Sequence, residues 1–441
     1  MGEPLGKAAY VVAAPTVTDT TEDKMRTTVA RGSLRLLLVP SIALLALACS
    51  GDSEPTPTEP TPVPSSPAVG LSISSSGLSL IVGGAERLTA RAYDAKDRTI
   101  NASFEWSSAD PAIATVGKSD GTVTAISAGS TTVTAAAGAL RATATVSVLD
   151  LAGLIAFTRR TWLPSRSVTS DVLAFSFADP TMRSLPRPFQ SASIAAPAWS
   201  DDGTQLAVEV IHVYFAEDGL EDYNSDLYVL DAAAPAGSPW RALTTNGLSK
   251  APSWSPDGKR IAYLQQQALW SNNHIYILDA AGGAPVRLTR TEGEYSRPRW
   301  SPDGTRLVFS AFLEGGSDYH EIFIVNADGS GLTNLTTRSS ASGFEPSWSP
   351  DGARLTFVST RDNSPGTFRL DVFVVDVDGS NVRRLTSLGV HSRGPAWSPD
   401  GRQIIFSSGG ALYVMNADGS ALVRLTTPPV NSWDSAPVWR R

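Results

Sequence analysis

One pentapeptide recurs along this chain and sets the frame for everything else. Trp-Ser-Pro-Asp-Gly stands at 254–258, 300–304, 348–352 and 397–401, with the variant Trp-Ser-Asp-Asp-Gly at 199–203. A further Pro437-Val438-Trp439 repeats its opening without the turn. Successive tryptophans are 55, 46, 48, 49 and 42 residues apart. A period near 45 residues, built from short strands, marks a β-propeller, whose repeats bury their faces only against neighbouring repeats.

Each unit predicts the same four strands. Pro-x-Trp-Ser forms a short first strand. In the turn, proline presets φ, aspartate bonds back to the backbone and glycine takes the left-handed position. An apolar second strand follows, such as Arg306-Leu307-Val308-Phe309 or Gln403-Ile404-Ile405-Phe406. After a loop of variable length comes a third strand, such as Ile322-Phe323-Ile324-Val325, apolar at nearly every position. Such a strand has both faces buried, as a blade between two blades does. A second Asp-Gly turn (327–329, 377–379) leads to an outer strand ending Arg-Leu-Thr.

The count closes at six. The first unit has a second strand (154–157) and a third (172–175) but no tryptophan strand, whereas residues 436–439 supply only a tryptophan strand. Joined, they complete one blade and remove an exposed edge. These repeats resemble the TolB-like propeller repeat over residues 151–441. In TolB the propeller is a periplasmic protein-binding platform for the peptidoglycan-associated lipoprotein and colicin segments, so the resemblance implies a binding role. TolB carries a different N-terminal domain.

Upstream, residues 140–148 alternate strictly between apolar and polar, and residues 88–92 do the same, the pattern of half-buried strands. Short strands with frequent turn signals predict a β-sandwich over residues 68–150. Glu105-Trp106-Ser107-Ser108-Ala109-Asp110-Pro111, Gly121-Thr122-Val123-Thr124-Ala125 and Ala128-Gly129-Ser130-Thr131-Thr132-Val133 resemble the bacterial immunoglobulin-like group 2 domain. That resemblance implies a spacer or adhesive module and a core role for Trp106. The expected fold is all-β, an Ig-like sandwich followed by a closed six-bladed propeller. The 36 glycines and 30 prolines suit such a turn-rich chain.

The first 67 residues read as an export device. Arg26 and Arg31 precede an apolar run, 36–48, that is too short to span a bilayer as a helix. Met25 is read as the start and residues 1–48 as a leader. Ala46-Leu47-Ala48-Cys49 resembles a bacterial lipobox, with leucine displaced by one place from the usual pattern; it implies lipidation at Cys49, the single cysteine of the chain. Residues 49–67 form a Pro-rich tether that favours extended polyproline structure. Ser50 is compatible with outer-membrane sorting by the same resemblance. The expected location is the cell envelope, lipid-anchored, at the outer membrane and facing the periplasm or the cell surface.

With 36 basic and 43 acidic residues the net charge is −7, which gives no basic surface for nucleic acid. The tight turns fall on one face of the propeller. The long, dissimilar loops and the starts of the tryptophan strands fall on the other, where binding residues concentrate. The expected binding residues there are Trp270, Tyr295, Arg297, Phe344, Glu345, His391, Arg393 and Trp433. Arginine among aromatic rings suits capture of a protein or peptide from the envelope. The repeated tryptophans and turn aspartates read as packing and turn residues.

All four histidines, His212, His274, His320 and His391, also fall on this face. Propeller lyases acting on pectic sugars resemble these repeats and hold a metal with histidine, which keeps open a glycan binder or a metal-assisted polysaccharide lyase or hydrolase. The histidine spacing matches no ligand motif. No Gly-x-Ser-x-Gly nucleophile turn occurs in the chain. A non-catalytic, monomeric scaffold without cofactor is therefore the leading expectation.

Overall fold

The computed structural model describes residues 67–440, apart from 152, 164–167, 177–181, 186–191, 216–220, 233–237, 269–270, 317, 337–340 and 363–366. The expected leader, the tether, Cys49 and Trp270 lie outside the described residues.

From Leu154 onward the strands form six sheets of four. In blades two to six a tryptophan strand starts the sheet and three strands follow in order: Ala192–Trp199, Ser249–Trp254, Gly293–Trp300, Gly343–Trp348 and Ser392–Trp397 lead them. Neighbouring tryptophan strands touch, so they wall a central channel. Blade one is assembled from distant segments. Ser432–Trp439 pairs antiparallel with Leu154–Trp162, which in turn pairs with Val168–Ser176. This is the closure expected from the repeat count.

The repeated residues each have a mechanical task. In the turns, Ser255, Ser301, Ser349 and Ser398 donate Oγ–H to Asp257, Asp303, Asp351 and Asp400 two residues on. Each serine oxygen also accepts the backbone N–H five residues on. These bonds to the charged form hold the carboxyls of Asp257, Asp303 and Asp351 low, with Asp303 brought down to about 2 mainly by Ser301 and the Thr305 N–H. In the Arg-Leu-Thr corner, Asn-Leu-Thr in blade four, the threonine oxygen accepts the N–H of the second residue of the third strand, as from Ile322 to Thr336 at 3.0 Å and from Val372 to Thr386 at 2.9 Å.

The tryptophans pack between blades, as expected. Trp300 joins Ala262 and Leu264 of blade three to Leu307 and Phe309 of blade four. Over its ring lies Arg260 from the preceding blade, 4.5 Å from the centroid. Arg306 covers Trp348 and Arg354 covers Trp397 in the same way. The third strands are buried along almost their whole length, as in Glu321–Asn326 and Asp371–Asp376.

The Ig-like part comprises a four-stranded and two three-stranded sheets. Trp106, Val123, Val133, Val146 and their neighbours form its core, so Trp106 has the core role expected of it. Leu149 and Leu151, at its exit, pack with Ile155 of blade one and Ile405 and Leu412 of blade six.

The closing blade is riveted by one ion pair. Arg159 Nε and Nη2 donate to Asp434 Oδ1 and Oδ2 at 2.6 and 2.8 Å, and the Asp434 side chain has no exposed surface. Removing one partner of a buried pair strands the other charge, at a cost of about 3–5 kcal/mol. An exposed cation–π contact contributes about 0.5–1 kcal/mol. Asp434→Ala is therefore expected to lower unfolding stability in urea by about 3–5 kcal/mol, and Arg354→Gln by no more than about 1 kcal/mol. Equal losses would show that closure carries no special share of the stability.

Candidate binding site at the channel mouth

A kink repeated six times shapes the channel wall. In each tryptophan strand the ladder shifts register just before the proline. The residue preceding that proline has positive φ in every blade: Ala196, Ala251, Arg297, Glu345, Gly394 and Ala436, between 48° and 59°. Left-handed backbone is uncommon for residues other than glycine, and it is held only where the surroundings over-determine it. Here the proline fixes the next φ and the following tryptophan is locked between blades. Only Gly394 occupies the position without strain.

Most positions lining this wall are small. The residue after the proline is Ala198, Ser253, Arg299, Ser347, Ala396 or Val438. The facing position of the second strand is Thr158, Glu209, Leu264, Ser310, Val358 or Ser407. Against this background the charged residues are exceptions, and they cluster. A cavity of about 280 Å3 is lined by Arg160, Lys250, Arg297 and Arg299 together with Glu209 and Glu294.

Each charge has a definable environment. Arg297 Nη2 lies 3.2 Å from Glu345 Oε1. The other oxygen of Glu345 accepts the Gly394 N–H at 2.5 Å, so this carboxylate ties blades four, five and six together. Glu209 Oε2 accepts the Ala251 N–H at 3.3 Å from the neighbouring blade. Burial raises the Glu209 pKa, and the Ala251 N–H, Lys250, Arg160 and Arg297 oppose that rise. Arg299 Nη1 donates to the carbonyls of Pro298 and Pro252, at 3.2 and 3.4 Å. Burial, with Arg297 nearby, pulls its pKa down to about 10, so the guanidinium stays charged at neutral pH.

The expected site residues divide. Arg297 lines the cavity and Glu345 is its ion-pair partner. Tyr295 also belongs to the cavity lining, but the residue is only 1% exposed: its ring packs against Phe309 and His274, and its hydroxyl donates to the Thr291 carbonyl. Phe344 is half-buried against His320, 4.9 Å between centroids. Trp433 is half-buried beside Trp162, whose ring is exposed. His391 and Arg393 lie exposed at the start of the blade-six strand, and the Leu370 N–H donates to His391 Nδ1. Glu209 and Arg299 were missed. Aligning the six repeats would have exposed both, as the one acid and the one arginine at positions otherwise small or uncharged.

The histidines do not converge. Among the described residues no three His, Cys, Asp or Glu side chains are placed to hold a metal together. His274 takes the position where other blades put Asp226, Glu321 and Asp371, and like them it serves the Arg-Leu-Thr corner, with Arg287 at 3.0 Å. Burial lowers the pKa of His274, His320 and His391, assisted by Arg287 at His274 and by Arg393 at His391.

A ring of six four-stranded blades with a charged, kinked channel defines a β-propeller of the repeat type. The model of the TolB beta propeller domain matches residues 188–309 and 241–409, together half of the chain, and the protein belongs to that family. The bacterial Ig-like domain (group 2) model matches residues 68–148. Among solved structures, TolB from Acinetobacter baumannii is 18% identical with a TM-score of 0.52, covering 84% of this chain and 99% of that one. A TolB-type protein from Agrobacterium tumefaciens is 20% identical with a TM-score of 0.46, covering 65% and 99%. An oligogalacturonate lyase from Vibrio parahaemolyticus is 14% identical with a TM-score of 0.40, covering 58% and 71%. At these identities the likeness is one of fold alone. No curated protein sequence matches the chain.

The raised Glu209 pKa has a signed consequence. A carboxyl whose folded pKa lies above its unfolded value costs stability that is absent below the ordinary value near 4.5 and complete above the folded value. Glu209→Gln removes that cost and keeps an acceptor for the Ala251 N–H. Its urea midpoint relative to the parent is expected to rise as the pH climbs from about 4 through the raised folded pKa. A difference that stays flat over that range would refute the burial of a charged Glu209.

Proposed function

We propose that this protein is a membrane-tethered, non-catalytic binding scaffold of the bacterial cell envelope, which captures a protein or peptide partner on the irregular-loop face of its propeller. One observation carries the reading. Exposed apolar side chains gather on that face from successive blades: Trp162, Phe312, Tyr319, Phe368, Val390 and Val430, the last two 48% and 89% exposed. Apolar side chains gathered on one face, rather than scattered singly, mark an interaction surface. The Pro-Asp-Gly corners opposite commit their carboxylates to their own backbone. Arg393 and His391 stand among the rings, the mixture that favours protein capture. The membership in the TolB propeller family supports the same reading. Cys49 supplies the membrane tether, and the Ig-like part serves as a spacer.

Two experiments test this. The purified full chain serves as bait in solubilised cell envelope, beside a variant carrying Phe368→Ala, Tyr319→Ala and Arg393→Ala. A discrete protein partner lost with the variant is the expected result. Equal recovery with both baits, or retention of uronic-acid polymers instead of protein, would overturn the placement. Separately, Cys49→Ser is expected to abolish incorporation of labelled palmitate and to release the protein from membranes; labelling that survives the change would refute lipidation at Cys49.

A further inference from the structure

We infer that the channel mouth is a carboxylate-binding subsite, which takes one acidic side chain or the C-terminus of the captured peptide against Arg299 and Lys250. This rests on the reading of the irregular face as a peptide-binding surface and adds the chemistry of its centre.

The argument begins with charge. In a chain of net charge −7, the cavity at the channel mouth gathers four cations, Arg160, Lys250, Arg297 and Arg299. Three carboxylates answer them: Glu209 and Glu294 in the lining, and Glu345 on Arg297. The balance is one positive charge. A singly charged carboxylate cancels it, whereas a phosphate dianion would leave the cavity negative. Low-dielectric walls make that balance matter, because an uncancelled charge in such a site is costly.

The unanswered cation can be located. Arg297 has Glu345. Glu209 lies amid Lys250, Arg160 and Arg297 and interacts with all three. Arg299 forms no ion pair within 4.0 Å among the described residues: Glu345, paired with Arg297, acts on it only at longer range, and its hydrogen bonds go to the carbonyls of Pro252 and Pro298 through one nitrogen. A guanidinium has five donors in a fork that matches a carboxylate. Arg299 belongs to the cavity lining. Asn273, also in the lining, holds a buried side-chain oxygen without a hydrogen-bond partner. A second cavity of about 290 Å3 shares Glu209, Ile211 and Lys250 with the first. It runs past Tyr223, Asn224 and Gln266, and the Asn224 oxygen is likewise buried and unpartnered. Two amides without partners along one continuous groove suit a peptide backbone leading to an anchored carboxylate. The cavity volume accommodates a side chain and its neighbouring peptide units, not a folded domain.

The test uses the purified full chain and three fluorescein-labelled pentapeptides with blocked C-termini, made of glutamate, glutamine or lysine, read by anisotropy. The glutamate peptide is expected to bind and the others not. Arg299→Met and Lys250→Met are each expected to weaken it by about tenfold or more, as loss of a charge-assisted hydrogen bond does. Lys250→Met is included because its half-exposed side chain leaves the fold intact even where Arg299→Met disturbs it. Arg402→Met, on the turn face, is expected to leave binding unchanged. Glutarate should compete more effectively than inorganic phosphate. Equal binding of the glutamine peptide, no binding of the glutamate peptide, or indifference to both channel variants would overturn the proposal. Stronger competition by phosphate would replace carboxylate with phosphate and equally overturn it. Envelope capture lost with the rim variant but unaffected by Arg299→Met and Lys250→Met would sink the subsite while leaving the scaffold reading standing.

Discussion

The pairing of Ser432–Trp439 with Leu154–Trp162 is the contact on which the rest of the propeller depends. Every other blade is built from one continuous stretch of chain, through hairpins whose turns are chemically specified. Blade one alone requires the chain to bring together segments some 270 residues apart, and loop-closure entropy opposes that. The compensation is concentrated: a two-stranded ladder, a buried Arg159–Asp434 fork, and Trp439 in the seam between blades one and six. Without it the ring has two exposed edges, and the channel has no sixth wall. The Arg260, Arg306 and Arg354 stacks act differently, since each joins only adjacent blades and leaves the ring's integrity to the closure.

A closed ring permits what an open sheet would not. Five residues other than glycine hold left-handed backbone at the channel wall, a conformation that costs roughly 1–3 kcal/mol per residue. Neighbouring blades over-determine it: the proline that follows cannot relax, and the next tryptophan is wedged between blades. The kink turns backbone N–H groups toward neighbouring blades, where Glu345 and Glu209 accept two of them. The strain and the inter-blade carboxylate bonds are thus parts of one arrangement. That arrangement also fixes Arg297 and Glu345 at the channel, since both sit on the strained positions themselves.

The repeat made the architecture legible. The pentapeptide spacing gave the blade count, the split first blade gave the closure, and apolar third strands gave the burial. Each is a property shared by many residues, so no single departure obscures it. The site was legible only in part, because it is made of departures. Arg297 and Glu345 were visible as charges beside a frame repeated along the chain. Position along a strand placed Tyr295 at the cavity but not the burial of its ring, which pleat and kink together decide. The structural task of His274 was not legible from its residue type, whereas its position in the repeat equates it with Asp226, Glu321 and Asp371. Glu209 and Arg299 escaped because an isolated charge in a strand is unremarkable until six copies of that strand are aligned.

The distribution of charge and apolar surface separates two tasks on one face. The rim offers exposed rings on several blades, which contribute area and little direction. The channel offers fixed charges in a confined space, which contribute direction and discrimination more than area. An acidic molecule with a locally positive cavity also draws an acidic segment to one place only, since the surrounding surface repels it and the cavity walls focus the field. Such an arrangement favours a partner that projects an acidic segment from an apolar contact surface. A lone acidic peptide would miss the rings, and an apolar surface alone would leave Arg299 without a directly paired carboxylate.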